Sequence, residues 1–187
     1  MNCAKNIFAL TLITSFICLS AVPEVHSQNV TELGDTLNNI DNASAYLLPA
    51  LAFTMTLAEK DKAGTLQFVE SAGASMGITL TLKYTVTATR PNGEPHSFPS
   101  GHTTITVASA EFLYKRYGWK YGLPSYIVAA FVGYDRLRTN VHYPIDVAAG
   151  ATIAFISANI FTKPYEGWAI QPVVKEKNLG IRISRVF

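Results

Sequence analysis

The stretch that decides the fold is residues 83–146, which reads KYTVTATRP at 83–91, PSGH at 99–102 and RLRTNVHYPID at 136–146. Pro91, Gly93, Pro95 and Pro99 make 90–99 a loop. Ser100 is a favoured N-cap, so a helix is expected to open at Ser100 or Gly101 and run to about Tyr117. Residues 118–124 read as a break, with a further helix from Ser125 to about Arg136. Pro144 sits where a first helical residue is tolerated, and a last helix is expected from there to about Phe161.

Upstream, 28–42 is polar and reads as a lead-in with one helical turn, while 43–58 carries no charge. Pro49 should kink a helix in that run or delay its start. Residues 60–63 read as a turn. The helix after it is rich in small residues (Ala72, Gly73, Ala74, Ser75, Gly77), which let helices approach closely. Thr and Val enrich 78–89, a strand-like composition, yet helix is expected through Lys83. In the tail, 168–174 and 179–186 are β-prone on either side of Asn178 and Gly180, which suggests a hairpin. The fold class is therefore all-α, a helical bundle of about five core helices with a small C-terminal β-hairpin.

With 187 residues the chain is sized for one domain with a substantial core. A net charge of +2, with no basic stripe, argues against a nucleic-acid partner. The 49% hydrophobic and 15% charged content points to a membrane-associated or densely helical protein. Residues 1–27 resemble an export signal, with Lys5 in the n-region, an apolar 7–22 and Val25-His26-Ser27 as a cleavage site. An uncleaved first membrane helix is the alternative. Both cysteines, Cys3 and Cys18, lie in that stretch, so a cleaved chain keeps no thiol for catalysis or metal binding. The organisation expected is 1–27 signal, 28–163 helical domain and 164–187 tail.

Chemistry concentrates in the three segments. A helix opening at Ser100-Gly101 aims free N–H groups and its positive dipole end at an anion, although a simple capped helix reads the same way. Arg90 offers a planar fork and Lys83 a compact charge suited to phosphate oxygens, or two solvated surface cations. Asp146 lies four residues after His142 and can accept its Nδ1 proton, leaving Nε2 as an outward lone pair.

These segments resemble the superfamily of type 2 phosphatidic acid phosphatases, bacterial class A acid phosphatases and vanadium haloperoxidases. Its pattern is Lys-x6-Arg-Pro, Pro-Ser-Gly-His and Ser-Arg-x5-His-x3-Asp. It is matched by Lys83, Arg90, Pro91, Pro99, Ser100, Gly101, His102, Arg136, His142 and Asp146. Asp135 stands where the pattern has Ser, a carboxylate that Arg138 is placed to neutralise. The resemblance implies a phosphatase without metal or cofactor: His142 attacks phosphorus to give a phosphohistidine, Asp146 orients it, and His102 protonates the leaving oxygen and then activates water. Lys83, Arg90, Ser100, Gly101 and Arg136 would hold the phosphoryl oxygens. His96 falls outside the pattern and reads as a rim residue.

Uncharged runs of sixteen at 43–58 and 147–162, with cations among aromatics at 114–121, suggest membrane association. A phosphorylated lipid is then the expected partner: lipid A, undecaprenyl diphosphate or phosphatidylglycerol phosphate, in an envelope enzyme facing the periplasm. The alternatives are a soluble periplasmic acid phosphatase, a vanadium haloperoxidase and a non-catalytic anion-binding bundle.

Overall fold

The computed structural model describes residues 29–165, 167–175 and 178–186. The expected export signal at 1–27 lies outside the described residues. Five helices follow in order: α1 Asn29–Ala58, α2 Lys62–Thr85, α3 Gly101–Tyr117, α4 Trp119–Arg138 and α5 Pro144–Phe161. The all-α bundle expected from the sequence is thus the architecture. Gly167–Lys175 (β1) and Asn178–Val186 (β2) are traced antiparallel beyond it, and the all-helical class does not rest on them.

Local chemistry sets most of the boundaries. Asp61 caps α2, its carboxylate accepting the Gly64 N–H at 2.8 Å. Ser100 caps α3, and Pro144 opens α5. Gly118 separates α3 from α4 with φ of 90°, a conformation that suits glycine, and its N–H bonds back to the Tyr114 carbonyl.

Two expectations are corrected. Of the polar lead-in, 29–42 belongs to α1, which is helical from Asn29 to Ala58 with Pro49 inside it. Similarly, α4 starts at Trp119 and includes Pro124, so 118–124 is a one-residue break. In each case a proline removes one backbone hydrogen bond, and packing of the helix against its neighbours outweighs that loss.

Helix α3 is the axis of the bundle and packs against α1, α2, α4 and α5. Leu48, Ala52 and Met55 of α1, Phe68 of α2, and Phe112 and Leu113 of α3 form the apolar core. The rest of the interior is unusually polar for so apolar a chain. Ser71, Ser75 and Thr79 face inward from α2, and Thr79 meets Thr104 of α3 at 3.0 Å. Glu111, buried in α3, accepts from the Tyr126 hydroxyl and, at 2.8 Å, from the Asn159 amide.

Large apolar side chains point outward instead: Leu47 and Phe53 on α1, Leu66 and Ile78 on α2, Leu123 and Ile127 on α4, Phe155 and Ile160 on α5. Small and polar inside with apolar outside is the distribution expected of helices packed in lipid. Among the described residues one helix, Pro144–Phe161, is long and apolar enough to cross a membrane.

At one end a buried pair locks the turns together. The Arg116 guanidinium donates to both oxygens of Asp61, with Nε at 2.7 Å, and to the carbonyls of Lys163 and Pro164 at 2.9 and 3.1 Å. The Tyr117 hydroxyl also donates to Asp61, at 2.9 Å.

Candidate active site

At the end of the bundle where α3 begins, the segments singled out in the sequence converge. Asp146 is the hub. Its backbone carbonyl accepts the Ser100 N–H at 3.0 Å, tying the start of α5 to the cap of α3. Its carboxylate accepts the Ser97 hydroxyl and, at 2.9 Å, the Tyr143 N–H. The same oxygen lies 3.4 Å from His142 Nδ1. That separation exceeds a formed N–H···O bond, so Asp146 faces the ring without yet gripping it. His142 is itself held by its backbone, whose N–H bonds the Arg136 carbonyl at 3.1 Å.

The close approach of α5 to α3 depends on Gly150. A Cβ there would lie 2.6 Å from the Ser100 carbonyl oxygen and 2.9 Å from Thr104 Oγ1. Ser100 is buried, and its Oγ accepts from Thr103 Oγ1 at 3.0 Å. The space over Gly101 is open, so no side chain covers the backbone of the first turn of α3.

Lys83, in the last turn of α2, donates to the His96 carbonyl at 2.9 Å, while His96 Nδ1 returns a hydrogen bond to the Lys83 carbonyl at 2.9 Å. His96 is therefore not a bare rim residue: it pins the end of α2 to the loop, its ring against Tyr84. Arg90 is paired with the exposed Glu94 at 2.8 Å. The Lys83 and Arg90 charges bear on both His102 and His142, so these four side chains share one electrostatic environment.

Loss of hydration pushes the His142 imidazole down to about 4, with Lys83 and Arg90 also opposing its protonation and Asp146 favouring it. At neutral pH the ring is uncharged and keeps a lone pair, the state a nucleophile requires.

Asp135, where the motif has Ser, is fully buried and ion-paired with Arg138. It accepts from Arg138 Nε and Nη2 at 2.9 and 2.7 Å. Arg136 is instead ion-paired with the buried Asp41 of α1. The next residue, Asn42, places its Oδ1 3.2 Å from His102 Nε2 and 3.3 Å from Arg136 Nη2. Sequence reasoning missed Asp41, Asn42 and Ser97. The two α1 residues lie in a polar stretch with no spacing relation to the motifs, so only the fold reveals them.

The PAP2 superfamily family model matches residues 92–168. Over those residues the chain is similar to the PAP2 superfamily. The lipid A 4'-phosphatase of Helicobacter pylori is 27% identical over 163 residues, covering 80% of this chain and 78% of that protein. The undecaprenyl-diphosphatase of Bacillus subtilis is 32% identical over 100 residues, 48% of this chain and 51% of that one. The crystal structure of Aquifex aeolicus LpxE shares the fold, with a TM-score of 0.62, 21% identity, and coverage of 80% of this chain and 92% of that one. The PAP2 match spans the second and third motifs, and the helices that carry them are those that meet at Asp146.

Proposed function

We propose that the protein is a metal-independent phosphatase that removes phosphate from a lipid phosphate or diphosphate of the bacterial envelope. The observation that carries the reading is His142: an uncharged, buried imidazole facing Asp146, in the field of Lys83 and Arg90, which also bears on His102. In the first half-reaction His142 Nε2 bonds to phosphorus as the P–O bond to the lipid breaks, and His102 gives its proton to the departing oxygen. In the second, His102 takes a proton from water, the water oxygen bonds to phosphorus, and the P–N bond breaks to free His142 and phosphate. Lys83, Arg90, Arg136, the Ser100 hydroxyl and the Gly101 N–H hold the equatorial oxygens, whose charge grows in the transition state.

Two features favour a lipid substrate. The outer faces of α1, α2, α4 and α5 are apolar, as membrane residence requires. In addition, an apolar groove of about 650 Å³ runs between α4 and α5. It is lined by Val107, Ala130, Leu137, Val147 and Phe155, with Thr103 on its floor. Thr103 is bonded to Ser100, so the groove reaches the cap of α3 and can take an acyl or prenyl chain. The active site faces the periplasm, residues 1–27 direct export, 28–163 form the phosphatase domain, and 164–187 is a β-prone tail.

The test is phosphate release from a panel of lipid and water-soluble phosphomonoesters, with and without detergent. Turnover should favour the lipids, survive EDTA and stop with vanadate, a mimic of the five-coordinate phosphorus. His142→Ala should abolish it, and wild-type kcat in that variant would refute the nucleophile assignment.

A further inference from the structure

We propose that α1 completes the catalytic constellation: Asn42 positions the general acid, fixing His102 with its proton on Nε2, and Asp41 anchors the guanidinium that shares the same amide. The proposal rests on the phosphatase reading above. A side-chain amide can be turned either way round, and only its surroundings say which end is oxygen. Here Arg136 decides it. A guanidinium can only donate, so the Asn42 atom 3.3 Å from Arg136 Nη2 must be the carbonyl oxygen. That same oxygen is 3.2 Å from His102 Nε2, which must then carry hydrogen.

Two donors of the phosphate hollow, one from α3 and one from α4, thus converge on one oxygen before any substrate arrives. Both distances sit at or just beyond the long end of the N–H···O range, so a substrate oxygen can displace the amide at small cost. The ring is meanwhile held with its Nε2–H directed at the Asn42 oxygen rather than rotating. Arg136 cannot follow the amide away, because Asp41 holds it in a pair with both partners buried. The adjacent residues therefore divide the work: Asp41 fixes the cation and Asn42 aims the acid. Neither lies in the motifs that identify the family.

Leaving-group dependence separates positioning from a merely structural role. A general acid matters for a strongly basic alkoxide and little for p-nitrophenolate, which departs without a proton. In the full-length protein, Asn42→Leu should lower kcat/KM for an alkyl phosphate by about tenfold or more and for p-nitrophenyl phosphate by less than about threefold. Asn42→Asp keeps an oxygen acceptor and should recover most of the loss on the alkyl ester. Asn42 is only partly buried, and Asn42→Ala, read the same way, replaces the Leu variant if that one does not fold. His102→Ala is the reference and should show the same split, only larger. If His102→Ala slows both esters equally, the general-acid assignment falls and this inference with it. If His102→Ala discriminates but the Asn42 variants slow both esters equally, or neither, the role of Asn42 is refuted while the phosphatase reading stands.

Discussion

Adding one methyl group at Gly150 tests whether the α3–α5 contact sets the geometry of the site. The new Cβ would sit 2.6 Å from the Ser100 carbonyl oxygen, so the helices must part by about 0.8 Å to reach the 3.4 Å of an ordinary contact. Both obstacles, the Ser100 backbone and Thr104 Oγ1, belong to the start of α3, where no flexible side-chain end can yield. Overpacking of this kind costs about 1–3 kcal/mol. Replacing a mid-helix glycine by alanine returns about 1 kcal/mol, so the net loss is at most about 2 kcal/mol. For a chain of this size that lowers Tm by no more than about 8 °C. Catalysis should suffer far more. Ser100 and Asp146 are joined by a 3.0 Å backbone bond, and displacing reacting groups by about 1 Å can cost about 100-fold in rate. Gly150→Ala should therefore remain folded by thermal melt in detergent and lose about two orders of magnitude in kcat/KM. Gly73→Ala and Gly77→Ala, where nothing lies within 4 Å of the added carbon, are controls expected to keep wild-type activity and equal or higher Tm. Wild-type kcat/KM in Gly150→Ala would refute the claim that this contact aligns the site.

Three further outcomes follow from particular side chains. His142 has its folded pKa near 4, below the ordinary imidazole value of 6.5, so it takes up a proton more readily when unfolded. Its contribution to stability is complete above pH 6.5 and is lost as pH falls from there towards 4. Tm measured against pH should lose slope in that window in His142→Gln, and an unchanged slope would contradict the depressed pKa. Arg116→Leu leaves the buried Asp61 carboxylate without its guanidinium and should destabilise by about 3–5 kcal/mol in a denaturant titration. Asp135→Ser should leave kcat/KM within about threefold of wild type in the phosphate-release assay. The Asp135 carboxylate is engaged by Arg138.

What was legible in the sequence is what short-range chemistry dictates. Ser100 as a cap, Pro144 as a first helical residue and Gly118 as a stop each act within a few residues, and α3 and α5 begin where those rules put them. The motif residues were legible for the same reason, since their spacings along one stretch carry the pattern. Proline was over-read as a delay or break at Pro49 and Pro124, because a local rule ignores the packing surface that keeps α1 and α4 helical across them. Asp41 and Asn42 were invisible for the opposite reason. Their partners Arg136 and His102 lie some ninety-five and sixty residues further along, and nothing local marks a polar residue of 28–42 as inward-facing. His96 was dismissed because it matches no motif, yet its paired hydrogen bonds with Lys83 are loop architecture that only coordinates can show.

The position of α3 has a consequence for how the molecule comes together. This helix holds Thr103, Thr104, Thr106, Ser109, Glu111 and Arg116 out of solvent, each answered by a neighbouring side chain or backbone carbonyl. Alone in hydrocarbon it would keep its threonine and serine hydroxyls on its own backbone and cap but leave Glu111 and Arg116 without partners, whereas α5, uncharged after Asp146, could wait there unaided. Assembly should therefore be sheltered, with the outer helices forming a sleeve into which the chemistry-bearing rod is admitted last. A chain truncated before α5 would leave that rod without its cover, and quality-control proteases should clear it.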